Sequence, residues 1–182
     1  MPFPPRLVAL CGNPTSGKTE AARILAEFGY ELVDDGRPLR QIAIEYLGLT
    51  RDQVYTQEGK LEFVELNGRR IQVREILGEL GNAFEEKFGG DIIPLMSSRL
   101  LDPAKRYVFG SVRRKQGLFW RKQGARVLEI VNPLAGPSAF EFDSFDRSAV
   151  HSVIINNGLA RHLPVEEARA DLRAKLVRAL AL

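Results

Sequence analysis

The chain has 182 residues, 45% hydrophobic and 27% charged, which suits one soluble domain with a real core and excludes collagen-like, low-complexity and wholly disordered chains. Its 26 basic and 23 acidic residues leave a net charge of +3, too mild to diagnose nucleic-acid binding. No apolar run approaches the roughly 18 residues of a membrane span, and the single cysteine makes neither an internal disulfide nor a cysteine-rich zinc site. The opening Met1-Pro2-Phe3-Pro4-Pro5-Arg6 lacks the regions of a secretory signal, so a reducing cytoplasm is the expected home.

Arg6 to Cys11 is a short apolar run before glycine, a buried strand. Lys18 to Phe28 follows as a helix, with Ala21, Ala22, Ile24, Leu25 and Phe28 at helical spacing and Gly29 as its stop. Tyr30 to Val33 reads as a second strand, and Asp34-Asp35-Gly36 as a turn. Leu39 to Leu47 is helical, with Pro38 near its first turn. Residues 48–70 are polar and give no clear period. Ile71 to Phe88 is the clearest long helix, with a stripe of Val73, Ile76, Leu77, Leu80, Phe84 and Phe88 closed by Gly89-Gly90. Asp91 to Leu101 is a further helix, stopped before Asp102-Pro103.

Tyr107 to Gly110 is a third strand, Arg113 to Gln123 a basic helix, and Ala125 to Val131 a fourth strand. Residues 132–148 form a loop rich in Pro, Gly, Ser and Phe. Ser152 to Ile155 is a fifth strand before the turn Asn156-Asn157-Gly158, and Pro164 to Leu180 closes the chain as an amphipathic helix. Strands alternating with helices imply an α/β fold with a parallel sheet covered on both faces.

Gly12-Asn13-Pro14-Thr15-Ser16-Gly17-Lys18-Thr19 fits G-x-x-x-x-G-K-[ST], the P-loop. The glycines permit a tight loop whose backbone N–H groups face phosphate oxygens, and the following helix adds its positive end. Lys18 would reach the β- and γ-phosphates and the Thr19 hydroxyl would ligate magnesium. From average composition a chance match in a chain this long is roughly 1 in 100 or rarer, and the strand before and helix after supply the expected setting.

Other residues carry weaker signals. Asp34 and Asp35, at the end of the second strand, would sit beside the P-loop if the first two strands lie near one another. A carboxylate there would hold magnesium's water shell or orient an acceptor hydroxyl. Arg113 and Arg114 follow the third strand, at the carboxyl edge where open α/β sheets bind ligands. Arg147 is the one cation in the 132–148 loop and, if that loop is a lid, the group to close on a transferring phosphate. Arg74 starts the long helix and would hold an acceptor phosphate. Residues 99–126 carry nine Lys/Arg against Asp102 alone, whereas 58–91 lean acidic, eight to five. Such a basic stretch suits an anionic partner or a solvated face equally. Cys11 reads as a buried strand residue, and His151 and His162 stand in no metal-ligand spacing.

These segments together resemble the deoxynucleoside monophosphate kinases of tailed bacteriophages and, more distantly, dephospho-coenzyme A kinase. The resemblance runs over most of the chain. It covers the P-loop and its helix, "ELVDDGRPLRQIA", "VREILGELGNAFEEKFGGDII", "VFGSVRRKQG" and "VIINNGLARHL". It implies a P-loop kinase domain over 1–182, with a five-stranded parallel sheet flanked by helices, a helical acceptor-binding region over 36–104 and a lid over 132–148. It further implies ATP, Mg2+ and phosphoryl transfer to a nucleotide. By the same likeness Arg74 and Arg113 match the family's arginines, and Asn156 and Gly158 its last turn, close to where the adenine should lie; Arg40 is a further candidate to bind the acceptor.

The sequence departs from that pattern at Ser111, where the family has Asp, at Glu79 for its Gln and at Asn82 for its Thr. The ATP half is therefore intact and the acceptor half altered. Three functions stay open: a kinase of a normal or modified deoxynucleoside monophosphate, a kinase of 5-hydroxymethyluracil within DNA, and a nucleotide-binding module with a decayed acceptor site. The expected partner is a small nucleotide, with DNA as the other acceptor and no membrane; a homodimer is left open. If the chain is phage-encoded, its compartment is the host-cell cytoplasm.

Overall fold

Apolar runs that need cover on both faces become a five-stranded parallel sheet in the computed structural model, which describes residues 3–99, 101–138 and 144–182. In chain order its strands are β1 (Leu7–Cys11), β2 (Tyr30–Val33), β5 (Arg106–Phe109), β6 (Arg126–Val131) and β7 (Ser152–Ile155). They lie in the order β2-β5-β1-β6-β7, and every pairing is parallel. The helices are α1 (Lys18–Glu27), α2 (Arg37–Leu47), α3 (Arg51–Tyr55), α4 (Gln57–Leu61), α5 (Val73–Phe88), α6 (Ile92–Ser98), α7 (Gln116–Lys122) and α8 (Val165–Leu180). A hairpin of β3 (Phe63–Leu66) and β4 (Arg69–Gln72) is separate from the main sheet. The chain divides into two units, one of residues 1–35 with 100–182 and one of 36–99.

In the first unit β1 is the central strand and all five of its residues are buried. Its side chains alternate between two cores, as a strand's period of two requires. Val8 and Leu10 join Ile24 and Leu25 of α1 and Leu172, Leu176 and Leu180 of α8. Leu7, Ala9 and Cys11 join Phe109, Phe119, Trp120 and Val127. Each fully buried Leu or Ile contributes about 1.5–3 kcal/mol. Trp120 of α7 is completely buried and stacks on Phe109, with ring centroids 3.7 Å apart. The expected stop of α1 holds: Gly29, at φ +81, donates its N–H to the Ala26 carbonyl. Outside the core, α1 and α8 are tied by charge. Arg169 donates to Glu20 at 2.7 Å, and Glu27 accepts from both Arg169 and Arg173. The Arg169 and Arg173 guanidinium groups hold the Glu27 carboxyl below its usual range.

The second unit explains the segment whose sequence showed no period. Residues 48–70 hold α3, α4 and most of the β3–β4 hairpin. Thr50 and Gln53 close a capping box on α3. Gly59 lets α4 approach α3, since a Cβ there would lie 2.3 Å from the Asp52 carbonyl oxygen. The small core is Ala43, Leu49, Val54, Val73 and Ile76. The expected stripe of α5 is buried only at its start: Val73 and Ile76 are inside, whereas Phe88 is 69% exposed.

Several helix boundaries shift: the start expected at Leu39 stands at Arg37, and the start expected at Ile71 stands at Val73, because Ile71 and Gln72 belong to β4. The helix expected over 91–101 spans Ile92–Ser98, and the one expected over 113–123 spans Gln116–Lys122. Arg114 takes a left-handed φ of 47 and forms a bridge to Phe145, which keeps 113–115 out of the helix.

Candidate functional site

The site begins where β1 ends. Both neighbours of β1 run parallel to it, so their carboxyl ends surround the loop of residues 12–17. That is the edge at which open α/β sheets bind ligands. The loop needs its glycines. Gly12 sits at φ +137, and a Cβ there would lie 2.3 Å from the Ile130 carbonyl oxygen of β6. Gly17 sits at φ +100, and its Cβ would meet Asn156 Nδ2 at 2.2 Å. Thr15 also carries a positive φ, 61.

Lys18, the first residue of α1, donates from Nζ to the carbonyl oxygens of Gly12 and Asn13, each at 2.7 Å. Its ammonium is thus held over the first turn of the loop. Ser16 is buried, and Thr19 in the first turn of α1 is exposed, as is Asn13. The Ser16 N–H crosses the loop to the Asn13 carbonyl at 3.2 Å. Two asparagines reach the loop from the sheet. Asn156, just past β7, donates from Nδ2 to the Ser16 carbonyl at 2.9 Å, and Asn132, just past β6, to the Thr15 carbonyl at 3.4 Å.

The sheet order sets where Asp34 and Asp35 leave the sheet. β2 is an edge strand, and β5 stands between it and β1. The two acids therefore follow a strand two places from the P-loop strand. Asp35 is buried and Asp34 half-buried. Arg113 and Arg114, half-buried, follow β5, which is a direct neighbour of β1. Val112 N–H bonds to the Leu10 carbonyl at 2.9 Å and carries this segment along the end of β1. Ser111, where the resembled family has an acid, is half-buried on the same segment.

Arg147, the cation of the expected lid, is ion-paired. It opens a 3-10 turn, Arg147–Ala149, whose Ala149 is fully buried. Its Nη2 lies 2.9 Å from Glu129 Oε1. The two ends of the 132–148 loop are anchored in the first unit, through Asn132 at one end and through the Asp146 N–H bond to the Arg114 carbonyl at the other (2.7 Å). The central part of the expected lid, 139–143, lies outside the described residues.

Arg40 and Arg74 belong to the second unit. Arg40 Nε donates to the Val54 carbonyl at 3.1 Å, and its guanidinium lies over the Tyr55 ring. Arg74 is half-buried in the first turn of α5. Further along α5, Asn82 Nδ2 donates to Glu79 Oε1 at 3.3 Å, joining two of the departures from the family pattern.

Sequence reasoning passed over Glu129. It is a carboxylate only 5% exposed, paired in register with Cys11 immediately before the loop. An acid inside the apolar run Arg126–Val131 was the available signal, since a charge in a buried strand needs a partner; Arg147 is that partner. Burial first, and then the nearby Glu129 charge, push the Cys11 thiol up to about 12, so Cys11 is an inert core residue. Gly158 has a packing reason: a Cβ there would lie 2.5 Å from Ala168 Cβ of α8. Among the described residues no group of three or more His, Cys, Asp or Glu side chains is placed to hold a metal ion, and no helix is long and apolar enough to cross a membrane.

No family model matches the chain, and no curated protein matches it in sequence. Among solved structures it is similar to the protein TT1252 from Thermus thermophilus, at 18% identity and a TM-score of 0.52, over 97% of this chain and 96% of that one. It also matches a dephospho-CoA kinase from Campylobacter jejuni at 12% identity, over 97% of this chain and 98% of that one, with a lower TM-score of 0.44. At these identities the likeness to TT1252 is one of fold: an α/β architecture with a five-stranded parallel sheet flanked by helices.

Proposed function

We propose that the chain is an ATP- and magnesium-dependent kinase that transfers a phosphoryl group to a deoxynucleoside monophosphate, normal or modified. The observation that carries this reading is the loop 12–19. The full P-loop motif stands at the carboxyl end of a central parallel strand, with Lys18 held over it and α1 opening behind it. The loop suits a polyphosphate. The Ser16 hydroxyl is buried and has no hydrogen-bond partner among the described residues, which leaves a donor for an anionic oxygen. The left-handed backbone at Gly12, Thr15 and Gly17 suits the curvature of an anion-binding nest.

ATP with its magnesium ion would supply the transferable phosphoryl group. In this reading the backbone of Asn13 to Lys18 cradles the phosphates, Lys18 exchanges its two carbonyl contacts for phosphate oxygens, and the Thr19 hydroxyl holds the metal. Asp34 is retained as a residue that orients the acceptor or the metal's water shell. Arg113, Arg114 and Arg147 supply positive charge to the transferring group. Arg40, Arg74 and Asp35 are assigned to the acceptor.

A second reading takes a hydroxymethylated base in DNA as acceptor. It is favoured by the basic stretch, in which Lys115, Arg121 and Lys122 are exposed. Contacts to DNA phosphates would release counterions, so activity on DNA would fall steeply with salt.

The deciding experiment is ATP-to-ADP conversion with magnesium across deoxy- and ribonucleoside monophosphates, with normal and hydroxymethylated duplex DNA alongside. Turnover with one monophosphate is the expected result. Turnover with modified DNA alone selects the second reading. ATP binding without turnover on any acceptor overturns both in favour of a nucleotide-binding module.

A further inference from the structure

The P-loop works only if its N–H groups face the anion, and that requires its carbonyls to face away. In a trans peptide the carbonyl of one residue and the N–H of the next point in opposite directions. Whatever holds a loop carbonyl outward therefore aims the next N–H inward. In this chain the Ser16 carbonyl is held by the Asn156 carboxamide at 2.9 Å. The Gly17 N–H, on the same peptide plane, consequently faces away from the β7 turn. One residue earlier Asn132 does the same more loosely, at 3.4 Å from the Thr15 carbonyl. There the consequence is visible: the Ser16 N–H points across the loop to the Asn13 carbonyl.

Asn156 is well placed for this work. Its own N–H is bonded to the Val131 carbonyl at 2.7 Å, which fixes it to the end of β6. Its side chain lies so close to Gly17 that any Cβ there would collide at 2.2 Å. Glycine at 17 thus serves the asparagine as well as the backbone φ. Gly158, in the same turn, is accounted for by the approach of α8.

We infer that Asn156 is a positioning residue of the phosphate-binding loop, holding the Ser16–Gly17 peptide so that the Gly17 N–H faces the anionic ligand, instead of a reader of the adenine base. This rests on the proposed P-loop function. The two ideas fail differently, because a phosphate chain without a base separates them.

The test measures calorimetric binding of magnesium tripolyphosphate and of magnesium ATP to wild type, Asn156→Ala, Asn156→Asp and Lys18→Ala. Asn156→Ala is expected to weaken both ligands by the same factor, about tenfold, the scale of one hydrogen bond to a charged group. Asn156→Asp is expected to weaken both further, since a carboxylate cannot donate to the Ser16 carbonyl and repels the anion. ATP weakened with tripolyphosphate unchanged would make Asn156 a base reader and overturn the inference. Neither ligand weakened would overturn it too. Undiminished tripolyphosphate binding by Lys18→Ala, or no binding of either ligand by wild type, would instead overturn the P-loop reading beneath it. Should the Asn156 variants not fold, the amide resonance of Gly17 in the wild type decides: it must shift when tripolyphosphate is added, and a stationary resonance sinks the proposal.

Discussion

The loop at the end of β1 and the turns of the 36–99 unit both depend on glycine, but for different reasons. Gly12 and Gly17 are hemmed in by the Ile130 carbonyl and the Asn156 side chain. Gly48, Gly68, Gly89 and Gly90 have nothing within 4 Å of where a Cβ would stand. In the first region glycine makes room for a neighbour as well as permitting an unusual φ; in the second Gly48, Gly68 and Gly89 serve the backbone alone, at φ +73, +72 and +92. Around Gly12 and Gly17 there is no room for a side chain, whereas around Gly48, Gly68 and Gly89 there is.

The largest expected effect is on chemistry. Lys18→Ala should cut phosphoryl transfer by at least about a hundredfold while the melting temperature stays near that of wild type, because the lysine packs no core. A comparable loss from a substitution in a second-unit turn would erase the contrast between the regions. Gly12→Ala should cost stability on the order of 3 kcal/mol or more, since its Cβ would press on backbone and its φ is strained; denaturant unfolding checks this. Gly158→Ala, which would drive a Cβ into Ala168, should cost about 1–3 kcal/mol by the same measurement.

Acid should also separate the regions. Both histidines lie in the first unit. The His151 Nδ1 accepts the Val127 N–H at 3.0 Å, and burial, aided by Arg121 and Arg126, holds its pKa below the ordinary 6.5. A depressed pKa contributes stability that is full above about 6.5 and is lost as pH falls through the folded value. The melting temperature read from Trp120 fluorescence should fall as pH drops below about 6.5, and His151→Gln should flatten that slope. The smallest effect belongs to Gly90→Ala, which has open space and no positive φ. It should be neutral or stabilising by up to about 1 kcal/mol.

Much of the first unit was legible because its residues report locally. β1, α1 and the P-loop follow from an apolar run, a spaced motif and a helical stripe, and α8 from its period. The strand order was not legible. Nothing in Tyr30–Val33 says that β5 will come between it and β1, so that Asp34 and Asp35 follow an edge strand and not a direct neighbour of the P-loop strand. The contacts of Asn132 and Asn156 with the loop were hidden for a related reason: each reaches a segment more than a hundred positions earlier in the chain. Residues 48–70 defeated periodicity because little of the segment is buried. Phe63 on β3 is 55% exposed, and the small core there draws on only Leu49 and Val54.

The central place of β1 has a consequence for how the chain acquires its structure. The strand nearest the start of the sequence has no sheet neighbour until Arg106–Phe109 and Arg126–Val131 exist. Such long-range pairings slow folding. The 36–99 unit, continuous in sequence, can fold while the ribosome is still making the strands that will enclose β1. Until β6 is made the loop 12–17 has no Ile130 to lean on, and until β7 it has no Asn156. The motif nearest the beginning of the chain is thus among the last parts to reach its working shape.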